Sequence, residues 1–105
     1  MMVPSRYIDQ AQIASEIERA KLKLGPEVVR LMHNTGPDMD GEPSIFIRIV
    51  LTDSASREEN LGAVTRRIEK TFFDTLNPYG NWGLYPYFSY RNQSAQPEQR
   101  DSAWT

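Results

Sequence analysis

The nine residues 44–52, SIFIRIVLT, read as one β-strand with two unlike faces. Ile45, Ile47, Ile49 and Leu51 fall on one side; Phe46, Arg48, Val50 and Thr52 fall on the other. Alternation rich in β-branched residues is the period-two signal of a strand. The first side is wholly aliphatic and must be core. The second carries an arginine beside a phenylalanine, so it suits neither an oily interior nor a plain solvated surface.

The flanking sequence supplies partners for this strand. Over residues 5–24, Ile13, Ile17, Ala20 and Leu24 recur at spacings of four, three and four, which predicts a helix with one apolar stripe. Gly25-Pro26 ends it, glycine by accepting a left-handed cap and proline by refusing to continue the ladder. Residues 27–34 follow as a strand, with Val29, Leu31 and His33 on one face and Val28, Arg30 and Met32 on the other. The Gly- and Pro-containing stretch 35–43 is a turn that lets the two strands pair as an antiparallel hairpin. A second helix begins near Ser54 or Ser56, where Ser56 and Glu59 have capping-box spacing. It continues through Leu61, Val64, Ile68, Phe72 and Leu76, with Gly62 as a point of local weakness and Asn77-Pro78-Tyr79-Gly80 as the stop. A third strand spans residues 84–91, and Pro86, which has no N–H, assigns it to a sheet edge.

The order α-β-β-α-β predicts an α+β two-layer sandwich: a small, mostly antiparallel three-stranded sheet with two helices on one face. Residues 1–91 form the single domain, and residues 92–105 are a polar C-terminal tail in which Trp104 is the one large apolar side chain. In element order, residues 5–91 resemble type II KH domains and the ribosome-binding factor A family, which run helix–strand–strand–helix–helix–strand. That resemblance implies RNA binding. The chain departs from the KH pattern in lacking a GxxG loop between two helices, while Gly62 lies near the place where a ribosome-binding-factor-like helix kinks.

At 105 residues there is room for one core. The 12 basic and 14 acidic residues give a net charge of −2, which argues against a dedicated duplex-DNA binder. There is no cysteine, which excludes disulfides, thiolate metal sites and a cysteine nucleophile. No apolar run has membrane-spanning length, and residues 1–10 lack a signal-peptide core. The expectation is a cytoplasmic protein with no membrane partner.

Two groups invite a chemical reading. Asp38, Asp40 and Glu42 are spaced by two, a pattern that suits calcium or magnesium. An EF-hand loop starting at Asp38 would need glutamate at its twelfth position, where Ile49 stands. A paired-aspartate enzyme using Asp38, Asp40 and Asp53 would need a Gly-Ser turn leading into a helix, and Thr35-Gly36-Pro37 leads straight into the loop. The loop therefore reads as a turn, with no metal expected. His33, the single histidine, has no second histidine with which to build a zinc site; as a general base it would need a nucleophile or a positioned water, and it reads as a satisfied histidine at a strand end. No phosphate-binding loop, dinucleotide fingerprint or nucleophile elbow is present. No catalytic residue and no cofactor are nominated.

The remaining lead is the outer face of the sheet. If the strands pair as above, it carries Arg30, Met32, Phe46, Arg48, Tyr85, Tyr87 and Arg91, with Tyr79 and Trp82 in the adjoining loop. Arginine, aromatic residues and methionine are enriched at protein interfaces, and arginines among aromatic rings also suit single-stranded RNA. The sequence thus predicts a non-enzymatic interaction module that forms a homodimer or binds one protein partner. RNA binding is the alternative, and a metal-dependent enzyme using Asp38, Asp40 and Asp53 a more remote one.

Overall fold

The computed structural model describes residues 9–95. The elements are α1 (Gln10–Lys23), β1 (Val28–Pro37), β2 (Pro43–Leu51), α2 (Glu58–Leu76), α3 (Pro78–Trp82) and β3 (Tyr85–Asn92). Helix α1 starts where the Asp9 carboxylate accepts the Gln12 N–H, the usual service of an N-cap aspartate. The expectations for residues 5–8 and for the tail beyond residue 95, Trp104 included, lie outside the described residues.

The strands lie in the order β1-β2-β3, so both outer strands are edges and Pro86 sits on one of them. The β1–β2 hairpin is antiparallel, and β3 pairs parallel to β2. A parallel neighbour needs a long crossover rather than a tight turn, and α2 with α3 supplies it. The outcome is the expected α+β sandwich around a mixed sheet.

Ile45, Ile47, Ile49 and Leu51 have 0% exposure. They share one core with Ile13, Ile17 and Ala20 of α1 and Val64, Ile68, Phe72 and Leu76 of α2. Both helices therefore cover the same sheet face. From β3, Phe88 reaches into this layer, its ring 5.7 Å from that of Phe72. The Tyr90 hydroxyl donates to Glu69 Oε2 at 2.8 Å, tying β3 to α2. Burial and this bond to a carboxylate both raise the Tyr90 pKa.

Five local features depart from the sequence reading. The hairpin ladder runs on to Pro37 and Pro43, so the turn is 38–42 rather than 35–43. Register shifts between Val28 and Arg30, leaving Val29 as an extra residue. This bulge turns Val28 toward the core and leaves Val29 exposed, the reverse of simple alternation. Ser56 does not cap α2: its hydroxyl donates to the Thr52 carbonyl, and Arg57 holds the N-cap position without a side-chain bond. Helix α2 runs through Gly62 unbroken. Finally, Asn77-Pro78 restarts a helix as well as ending one. Asn77 takes a left-handed conformation (φ 43°), and Pro78 occupies the first turn of α3, where its missing N–H has no cost.

Candidate interaction surface

Strand register sets the outer sheet face out in rows, because residues paired across strands point the same way. From the hairpin-loop end the rows are Gly36–Ser44–Tyr85, Asn34–Phe46–Tyr87, Met32–Arg48–Ser89 and Arg30–Val50–Arg91. Arg30, Met32, Phe46, Arg48, Tyr85, Tyr87 and Arg91, the seven side chains expected on the outer face, therefore share it. Neither α1 nor α2 packs on it, since both belong to the opposite layer.

Trp82 does not join them. It lies in α3 rather than a loop, packs against the helix-side core, and donates its indole N–H to Gln12 Oε1 of α1 at 3.3 Å. The restart of the helix at Pro78 carries it to that side. Tyr79, from the same short helix, goes the other way and meets the Tyr85 ring at 4.9 Å.

The loop 38–42 is organised by Asp38. Its Oδ1 accepts the N–H groups of Asp40 and Glu42, each at 2.9 Å, an Asx-type arrangement that closes the turn. Gly41 takes the positive φ (82°) that the turn requires. The second oxygen, Oδ2, accepts the Tyr87 hydroxyl at 2.7 Å. The loop is thereby drawn over the outer face, where the Phe46 and Tyr87 rings stack with centroids 5.5 Å apart and planes 17° apart. Pro37, Asp38, Met39, Asp40, Phe46 and Tyr87 line a shallow groove of 560 Å³ there. Met39 on its rim is fully exposed.

The titrating groups follow this geometry. The Tyr87 hydroxyl first, then the Glu42 and Asp40 N–H groups, hold the Asp38 carboxyl below the usual carboxylate range. The same bond raises Tyr87, and a hydrogen bond with Tyr79 raises Tyr85. One end of the face is thus aromatic and negatively charged. The other holds Arg30 and Arg91 on either side of Val50, and Arg48 stands between the ends, donating to Asn34 Oδ1.

The other candidate groups are dispersed. Asp53 follows β2 at the end opposite Asp38 and Asp40, roughly 26 Å of strand away. It accepts the Ser94 N–H at 3.0 Å and the Ser94 hydroxyl, contacts that lower its pKa and fasten the chain after β3. The structure therefore does not bring Asp38, Asp40 and Asp53 together. Among the described residues no group of three His, Cys, Asp or Glu side chains is placed to hold a metal ion. His33 faces the helix layer opposite Ile47. Burial lowers its pKa, opposed by Glu18 and assisted by Arg48. No described helix is long and apolar enough to cross a membrane.

Two features of the face escaped the sequence reading. Asn34, the acceptor for Arg48, becomes visible once the hairpin register is known. The Asp38–Tyr87 bond joins residues 49 positions apart and has no local signal. No family model, curated protein or solved structure matches this chain.

Proposed function

We propose that this chain is a non-enzymatic protein-interaction module and that the outer sheet face is its contact surface, acting in the reducing cytoplasm that a cysteine-free chain suits. The observation that carries this reading is the pair of exposed aromatic side chains that β3 presents on this face. Tyr85 and Tyr87 remain 41% and 44% exposed although the Asp38–Tyr87 bond and the two ring contacts hold them in place. Aromatic side chains held in position before binding lose little conformational freedom when a partner arrives, and with arginine they dominate binding hot spots. Phe46, Tyr85, Tyr87, Arg30, Arg48 and Arg91 form the surface, and Trp82 is excluded from it.

RNA binding is the second reading. Its specific support is α3, which extends the element order to α-β-β-α-α-β, the order of type II KH domains and the ribosome-binding factor A family. Affinity purification of the full chain from its native cell, with both proteins and RNA identified, tests the two together. One stoichiometric protein, lost with Tyr87→Ala and recovered without RNA, is the expected result. RNA recovered instead, and released steeply as salt rises, would overturn the protein-interface reading, because phosphate contacts are displaced by counterions.

A further inference from the structure

We propose that the occupant of the outer face is a second copy of this chain set end for end, so that the arginine end of each copy lies on the carboxylate-aromatic end of the other. This rests on the protein-interface reading above and commits it to one partner.

The argument begins with the distribution of charge along the strands. Arg30 and Arg91 flank Val50 in one row, Arg48 stands in the next, and Phe46 and Tyr87 in the row after that. Asp38 and Asp40 line the groove against those two rings. The rows of Val50 and Phe46 are about 13 Å apart at the usual rise of a strand. Two sheets stacked face to face lie about 10 Å apart with nearly aligned strands, so a side chain on one faces a definite row on the other. Stacked with the same ends together, two copies would set arginines on arginines and carboxylates on carboxylates. A two-fold axis across the strands reverses one copy and turns both repulsions into attractions, and such an isologous contact forms twice.

An axis between the Phe46 and Arg48 rows sets Arg48 of one copy over the Phe46–Tyr87 pair of the other. A guanidinium above aromatic rings and beside carboxylates meets both a cation–π surface and hydrogen-bond acceptors. Arg30 and Arg91 then approach Asp38 and Asp40 of the second copy. All three arginines are already engaged within the chain, but a guanidinium has five N–H donors and serves several acceptors. Three strands give a patch on the order of 400 Å² per copy, against about 800 Å² in a typical stable complex. The dimer is therefore weak, concentration-dependent and steered by charge.

Sedimentation velocity on the full chain, from micromolar to near-millimolar concentration, provides the test. The expected result is a monomer–dimer equilibrium that weakens several-fold between low and moderate salt. Asp40→Arg and Arg91→Glu should each weaken it about tenfold or more. Mixed in equal amounts, the two variants should recover the wild-type strength, because one contact of the heterodimer is native and the other is charge-swapped. Circular dichroism establishes that each variant folds, and Arg30→Glu replaces Arg91→Glu if that one does not. A chain that stays monomeric throughout overturns the proposal, as does a mixture that remains as weak as its components. If the chain is monomeric while affinity purification yields a different stoichiometric protein, the interface reading stands and only the second copy is lost.

Discussion

On the inner face of β2, Ile45, Ile47, Ile49 and Leu51 are wholly buried; on the outer face, Phe46 and Arg48 are half-buried, and Ser44 and Val50 are covered. The backbone is one strand, and its pleat presents both sets alike. What differs is the material stacked on each side. The inner set meets two helices whose apolar stripes match it, so its chemistry is uniform and its energetic role is cohesion. The outer set meets cross-strand neighbours, a hairpin loop and α3, so its rings and charges are held by specific pairings: Phe46 to Tyr87, Tyr79 to Tyr85, Tyr87 to Asp38 and Arg48 to Asn34. An arginine tolerated in the middle of a sheet is compatible with folding only where solvent or a partner remains within reach.

The largest effect should come from the inner face. Ile47→Ala removes branched carbons at a site with no solvent and leaves a cavity between layers, a loss of about 2–5 kcal/mol. Chemical denaturation should show a lower midpoint with an unchanged slope. If Ile47→Ala proved nearly neutral, the assignment of core to this face would break. Arg48→Ala, one residue along the same strand, should cost on the order of 1 kcal/mol, as at other half-buried surface positions. Unfolding by Arg48→Ala would show that the outer face is core and would remove the interface reading with it.

The pH dependence sharpens the same contrast. His33 sits on the helix side, where burial lowers its pKa. The folded state then binds fewer protons than the unfolded state, so the stabilising contribution is complete above the unfolded value of about 6.5. It declines as pH falls through that value toward the lowered folded one. His33→Gln should flatten the stability profile in that acidic window and leave the neutral plateau little changed. A slope that persists in His33→Gln would assign it to other groups.

The smallest effect belongs to the exposed loop. The depressed pKa of Asp38 means that its contribution is present above the ordinary carboxylate range and is lost as pH falls through the folded value. Solvent screens this site, so global stability should barely move. The nuclear magnetic resonance signals of Tyr87 should instead shift as Asp38 protonates, and Asp38→Asn should abolish the shift. A Tyr87 ring indifferent to both would break the link between loop and face.

Much of this arrangement is legible in the residues because its signals are local. The period-two pattern of 44–52 identifies β2 and its core side, the stripe Val64-Ile68-Phe72-Leu76 identifies the buried side of α2, and Pro86 marks β3 as an edge. The gathering of Arg30, Phe46, Arg48, Tyr85, Tyr87 and Arg91 on one face follows from alternation once the strands are paired. The exceptions arise where a neighbour overrides the local rule. Val29 breaks alternation because the ladder near Leu51 accepts an extra residue. Trp82 leaves the expected surface because Pro78 opens a helix that turns it toward Gln12. Ser56 forgoes the capping box because the Thr52 carbonyl is within reach of its hydroxyl.

Sequence alone determined that α1, α2 and the three strands form and, away from the bulge at Val29, which side of each is apolar, since helix and strand periodicities arise from a few consecutive residues and their backbone geometry. Tertiary structure alone decided that β3 returns parallel to β2, that Asp38 fastens the loop to Tyr87, and that the acidic end of the face lies opposite its arginine end. Each of these depends on groups brought together from distant parts of the chain, and periodicity carries no information about which distant group will be met.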